Sequence, residues 1–268
     1  MPEPSPQKDA PVILETRAIT KIFGGLTAVS NFDLSVHAGE ISSLIGPNGA
    51  GKTTVFNAVT GIYRPEEGRI LFNGADITGN APHRIVARGI ARTFQNIRLF
   101  AAMTCLENVM AGRHCRTSAG LWASLFQTAG QKKEEARAVE IAEERILQVG
   151  LWKARNDLAK NIAYGSRRML EIARALATDP TLLVLDEPSS GLNPRETEDL
   201  MDFLKDLIHR EKVTILLIEH DMNMVMGISD WVTVMDGGQK IAEGTPTEIY
   251  SNPRVIEAYL GAADDEEN

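Results

Sequence analysis

An α/β fold, with a small antiparallel sheet beside its core and a helical segment inserted into it, is what this sequence predicts. Three observations carry the prediction. First, the β-prone run Ile41-Ser42-Ser43-Leu44-Ile45 leads into Gly46-Pro47-Asn48-Gly49-Ala50-Gly51-Lys52-Thr53, and residues 54–60 then wind as a helix that Gly61 ends. Strand, Gly-rich loop, helix is the context in which G-x-x-x-x-G-K-[ST] means a phosphate cradle. Second, residues 181–185 and 213–218 are continuous apolar runs, the pattern of strands buried on both faces in a parallel sheet. Third, strand signals stop between Gln95 and about Lys160. There, residues 134–149 repeat Val139, Ala142, Ile146 and Val149 at helical steps, closed by Gly150.

The elements follow in order. Residues 12–23 read as a strand, with a turn at Gly24-Gly25. Residues 32–36 alternate apolar and polar, as an antiparallel strand with one wet face does. Past the loop helix, Arg64-Pro65-Glu66-Glu67-Gly68 turns the chain into a strand at 69–72. A short helix at 82–88 and a strand at 90–94 precede the helical region. Leu121, Trp122, Leu125 and Phe126 make residues 120–130 apolar for a linker, and local packing is the expected reason. Asn193-Pro194-Arg195-Glu196 opens a helix with an N-cap, a proline at its first position and an acid at its third. Leu200, Leu204, Leu207 and Ile208 are its apolar stripe. Asp236-Gly237-Gly238 turns a hairpin, and short helices at about 247–250 and 254–260 finish the fold.

Composition narrows the function. The 268 residues suffice for one large α/β domain, and a net charge of −8 with no basic stripe argues against a nucleic-acid partner. Cys105 and Cys115 lack metal-site spacing and are expected as reduced thiols. The longest apolar runs are too short to cross a bilayer, so a partner would do any spanning. Residues 1–11 read as a disordered leader and 261–268 as an acidic tail.

At the loop, small residues let main-chain N–H groups turn toward a phosphate, and the following helix directs its positive end there. Lys52 adds a mobile positive charge, and the Thr53 hydroxyl suits Mg²⁺. The strand at 181–185 ends in Asp186-Glu187, and the next apolar strand ends in Glu219-His220-Asp221. Asp186 is placed to hold Mg²⁺ through water, Glu187 to polarise an attacking water, and His220 to meet the γ-phosphate. No N-K-x-D sequence is present to read guanine.

Ile162-Ala163-Tyr164-Gly165-Ser166-Arg167-Arg168, running into Leu170-Glu171-Ile172-Ala173-Arg174-Ala175-Leu176, resembles the signature segment of ABC-transporter ATPases. The order agrees: aromatic Phe23, phosphate loop, Gln95, signature, Asp186-Glu187, Ser189-Ser190-Gly191-Leu192-Asn193, His220. Within that family the chain is most similar to the ATP-binding subunits of branched-chain amino-acid importers, over about residues 12–260. Residues 92–100, 219–226 and 252–261 carry this closer likeness.

The resemblance implies a phosphate-loop NTPase (RecA-like) core at 12–95 and 173–260, an antiparallel β subdomain and a helical subdomain at about 96–172. It implies that Phe23 stacks on adenine and that Gly46, Pro47, Asn48, Gly49, Ala50, Gly51, Lys52, Thr53 and Thr54 bind the nucleotide. Thr53, Gln95 and Asp186 would serve Mg²⁺, and Glu187, His220 and Gln95 hydrolysis. Ala163, Tyr164, Gly165 and Ser166 would meet ATP held by a second ATPase subunit, identical or different. Two transmembrane permease subunits and, indirectly, a solute-binding protein complete the implied assembly, with this chain on the cytoplasmic face of the bacterial inner membrane. Five positions depart from the family pattern: Phe23 for Tyr, Ala163 for Ser, Tyr164 and Ser166 for Gly and Gln, and Asn193 for Asp. The signature changes imply a weaker composite site. The alternatives are a lipopolysaccharide-extraction ATPase and a soluble ABC ATPase outside transport.

Overall fold

Apolar runs and alternating runs sort the strands into two sheets. The computed structural model describes residues 10–113 and 129–266, with main chain alone over 129–134 and 260–266. The strands are β1 (Val12–Phe23), β2 (Leu26–His37), β3 (Ile41–Ile45), β4 (Glu67–Phe72), β5 (Ala75–Asp76), β6 (Ile90–Arg92), β7 (Leu182–Asp186), β8 (Thr214–Ile218), β9 (Trp231–Asp236) and β10 (Gln239–Gly244). The helices are α1 (Lys52–Val59), α2 (Pro82–Arg88), α3 (Cys105–Arg113), α4 (Ala129–Gln148), α5 (Tyr164–Leu176), α6 (Pro194–Glu211), α7 (Met222–Ile228), α8 (Pro246–Tyr250) and α9 (Pro253–Glu266).

The alternating strands build an antiparallel sheet in the order β2-β1-β4-β5. The continuous apolar strands build the second sheet, β10-β9-β3-β8-β7-β6, parallel except for β10. Every residue of β3, β7 and β8 is buried, as strands covered on both faces require. The register aligns Leu44 with Ile218 and Ile218 with Asp186, so β3, β8 and β7 end together along one edge. Ligands of open α/β sheets bind beyond that edge.

Two apolar layers flank the parallel sheet. On one side Leu44, Val184, Leu216 and Ile218 meet α1 (Val55, Phe56, Val59) and the antiparallel sheet (Leu14, Phe32, Ile70). On the other, Leu183, Leu185, Ile215 and Leu217 meet Ile172 and Leu176 of α5 and Leu200, Leu204 and Leu207 of α6. Opposite these, Leu170 and Ala173 of α5 pack with Cys105 and Val109 of α3 and Ala142 and Ile146 of α4. One helix, α5, thereby belongs to the sheet's core and to the helical cluster at once.

Several boundaries differ from the sequence reading. Strand β6 stops at Arg92, not at residue 94, because the chain leaves the sheet for α5. Helices α3 and α7 carried no separate prediction. The last helix runs through Glu266 instead of giving way to a tail at 261, since Ala262 and Ala263 are good helix formers. At the other end Pro11 is tied down, its carbonyl accepting the Ala38 N–H at 2.9 Å. The apolar residues 121–126, Cys115 and most of the predicted leader lie outside the described residues. Among those described, no helix is long and apolar enough to cross a membrane.

Candidate functional site

The loop between β3 and α1 sits at the centre of the aligned edge. Gly46, Ala50 and Lys52 are buried, while Asn48, Gly49 and Thr53 are exposed. Gly46 has φ 150, and a Cβ there would run into the Met235 carbonyl of β9. The Gly238 N–H, from the turn after β9, donates to the Ala50 carbonyl at 3.0 Å. The β9–β10 hairpin therefore braces the loop from behind.

The Lys52 ammonium donates to the carbonyls of Gly46 (2.6 Å) and Pro47 (2.8 Å). Burial pushes its pKa down, and the carboxylates of Glu187 and Asp186 act in the opposite direction. Both acids are thus near enough to feel Lys52. Asp186, 4% exposed, is paired with Arg92 of β6 at 2.7 Å. The same guanidinium reaches Asn57 of α1 (2.6 Å) and Thr60, which caps that helix's end (3.0 Å). Arg92 thereby fastens the loop helix to the end of β7.

Glu187 follows Asp186 in a left-handed conformation, φ 46. That region is strained for a residue with a side chain and clusters at functional sites. The Gln95 side-chain amide donates to Glu187 Oε2 at 2.8 Å. His220 Nδ1 lies 3.7 Å from that oxygen, outside hydrogen-bond range. Behind them Glu219, fully buried, accepts the N–H groups of Ser189 (2.8 Å) and His220 (3.1 Å). One carboxylate thus joins the loops after β7 and β8.

Phe23, at the end of β1, is 39% exposed. Tyr63 meets its ring edge-on at 5.1 Å, and the Lys21 ammonium lies 5.0 Å from its centre. This is a supported aromatic face open to a flat ligand.

The signature residues open α5. Ala163 is the N-cap and is exposed, as is Tyr164, while Gly165 is buried and Ser166 half-buried. The Tyr164 hydroxyl donates to the Ser190 carbonyl at 3.2 Å. Its ring covers Gly191, at φ 79, where a Cβ would lie 2.8 Å from the ring. Tyr164 thus packs within its own chain against the segment after Glu187. Asn193 caps α6 reciprocally with Glu196, a task open equally to Asn and Asp.

The structure therefore brings Lys52, Asp186, Glu187, Gln95 and His220 to one edge. The sequence reading missed Arg92, Glu219, Arg168 and Glu171. The signal for Arg92 was a charge within an apolar strand beside the strand that ends in Asp186. The signal for the other three was weaker, since Glu219 reads as part of an exposed turn and the pair three residues apart on α5 reads as a wet helix face.

Comparison with known proteins agrees with this architecture. The family model "ABC transporter" matches residues 29–190, and "Branched-chain amino acid ATP-binding cassette transporter" matches residues 239–265. The chain is 47% identical over 251 residues to the high-affinity branched-chain amino acid transport ATP-binding protein BraF of Pseudomonas aeruginosa, covering 94% of this chain and 98% of that one. It is 45% identical, with the same coverage, to the LivG protein of that description from Escherichia coli strain K12. Among solved structures it is similar to the ADP conformation of an ATP-binding cassette of an ABC transporter. There the TM-score is 0.82 at 36% identity, covering 94% of this chain and 99% of that one.

Proposed function

Because the chain belongs to the ABC transporter family, within its branched-chain amino-acid group, we propose that its site binds Mg-ATP and hydrolyses it to drive import of branched-chain or related amino acids. Membership carries the activity class: an ATPase coupled to transport. The lipopolysaccharide-extraction and non-transport alternatives are not favoured, since the relatives above are branched-chain amino-acid transport proteins.

The observation that carries the residue roles is Glu187, held by Gln95 beside Lys52 and Asp186. The main-chain N–H groups at the start of α1 receive the phosphates, helped by the helix's positive end. Lys52 exchanges its two loop carbonyls for phosphate oxygens. Phe23 stacks on adenine. Thr53, Gln95 and Asp186 offer oxygen donors, which suit a hard cation; Asp186, already paired with Arg92, would hold it through water. When bound, Mg²⁺ would neutralise charge building up on the phosphates. Glu187 takes the proton of the attacking water, and Gln95 fixes the carboxylate for that transfer. His220 closes on the γ-phosphate from the end of β8.

The signature residues serve a second ATPase subunit, against which the chain assembles head to tail. Two permease subunits carry the solute path, and a solute-binding protein delivers the amino acid. The chain works on the cytoplasmic face of the membrane.

Glu187→Gln tests the site. The amide keeps the shape and an acceptor for Gln95 but cannot take a proton. Nucleotide binding should persist while turnover falls by about 10²- to 10⁴-fold, or roughly 3–5.5 kcal/mol of barrier. Hydrolysis near the native rate rejects Glu187 as base. Uptake of leucine by vesicles holding the assembled transporter tests the coupling, and ATP turnover without uptake rejects it.

A further inference from the structure

Arg168, on the second turn of α5, is fully buried. Its Nη1 donates to the Phe94 carbonyl (2.9 Å) and to Glu171 Oε2 (3.0 Å), and its Nη2 donates to the Gln95 carbonyl (2.9 Å). Glu171, 1% exposed, accepts the Arg98 N–H on its other oxygen at 3.2 Å. One turn of α5 thus grips the main chain at residues 94, 95 and 98. The preceding residue belongs elsewhere, for the Thr93 N–H donates to the Val184 carbonyl of β7 at 3.0 Å. Support for the chain therefore passes from the sheet to α5 between Thr93 and Phe94.

Stability is a poor reason for such a pair. Burying two charges costs as much as their attraction returns, and an apolar replacement of similar volume often does as well. The fit is also incomplete, because Arg168 Nε is buried without a partner. What the pair does achieve is geometric. Gln95 has its carbonyl gripped and its side chain exposed, and that side chain reaches Glu187.

We propose that Arg168, charge-balanced by Glu171, is the positioning residue for Gln95, so that the helix bearing the signature segment sets where the Gln95 amide meets Glu187. The inference rests on the roles given above to Gln95 and Glu187. It adds that Arg168 acts only through Gln95.

A double-mutant cycle on kcat of the assembled transporter tests this, with fluorescent ATP-analogue binding measured on every variant. Replacing both charges (Arg168→Met with Glu171→Met) removes the buried pair together; Arg174, 4.0 Å from the other Glu171 oxygen and itself 18% exposed, loses that partner in both backgrounds of the cycle alike. The double replacement should lower kcat by about ten- to a hundredfold, the usual cost of a lost outer-shell contact, while nucleotide affinity stays unchanged. On a Gln95→Ala background the same replacement should cost nothing more. A general structural role would instead multiply the losses in both backgrounds, and that result overturns the inference. If the double replacement does not fold, Arg168→Lys serves, since one ammonium cannot span both carbonyls and the carboxylate. A native kcat in folded Arg168→Lys also overturns it. If Gln95→Ala and Glu187→Gln both hydrolyse ATP at the native rate, the site reading itself fails. If both are impaired and only the Arg168 cycle is additive, this inference alone falls.

Discussion

Arg92 offers the sharpest test of how the site is held together. Its guanidinium meets Asp186 at 2.7 Å with the two side chains only 7% and 5% exposed, so the pair is effectively out of water. Arg92→Met keeps the aliphatic bulk over Phe94 and Phe56, which the guanidinium now covers at 5.1 and 6.0 Å. It leaves Asp186 as a buried charge without the guanidinium paired to it, and it takes a donor from Asn57 Oδ1 and from Thr60, whose hydroxyl keeps its own bond to the Phe56 carbonyl. Breaking one side of a buried pair costs about 3–5 kcal/mol. For a domain of this size that lowers Tm by roughly 6–20 °C. Urea unfolding followed by circular dichroism, with thermal melts alongside, reads both quantities. Adding Asp186→Asn to Arg92→Met removes the stranded charge and should return more than half of the lost stability. The argument fails if Arg92→Met melts within about 2 °C of the native protein, or if the second substitution makes matters worse.

Three more outcomes follow from the same geometry. Gly46→Ala pushes a methyl group into the Met235 carbonyl; it should abolish ATP-analogue binding or folding, and a variant that binds normally would show that the loop has room to move. Phe23→Ala removes the open stacking face and should weaken nucleotide binding by about 1–3 kcal/mol, roughly 5- to 150-fold, the range for a base on an aromatic ring; titration with fluorescent ATP measures it, and an unchanged affinity would place adenine elsewhere. Burial, with a smaller contribution from the Asp157 carboxylate, raises the Cys105 thiol above its ordinary pKa. Because the thiolate is the reactive form, iodoacetamide at pH 8 should label Cys105 more than tenfold slower, by rough estimate, in the folded chain than in urea; mass spectrometry decides, and equal rates would contradict the burial.

The elements on the aligned edge were legible because each announces itself locally. A Gly-rich loop between strand and helix, and acids directly after apolar runs, need no knowledge of distant neighbours. The arrangement that makes them a site was less visible. In sequence, Arg92 is a cation in a short strand, and only the β6–β7 pairing brings it to Asp186. Arg168 and Glu171 stand three residues apart on a helix, where charges usually mark a solvated face, and only the return of the chain at 94–98 buries them. Tyr164 looked like a departure from a pattern until Gly191 was found beneath its ring. Helix α7 has seven residues, too few for a periodic signal to rise above chance.

The central place of β3 also governs when the site can exist. Its edges are completed from far along the chain, by β8 on one side and β9 on the other, and Ile41 meets Asp230 and Ser43 meets Ser229 at sequence separations of 189 and 186 residues. A ribosome adding about 5–20 residues per second therefore needs roughly 10–40 s between releasing the phosphate loop and releasing the strands and hairpin that brace it. During that interval the five apolar-flanked residues of β3 have no sheet to join. Nucleotide binding is thus among the last properties a nascent chain acquires, and a message truncated before β9 yields a protein with the loop's sequence and no site.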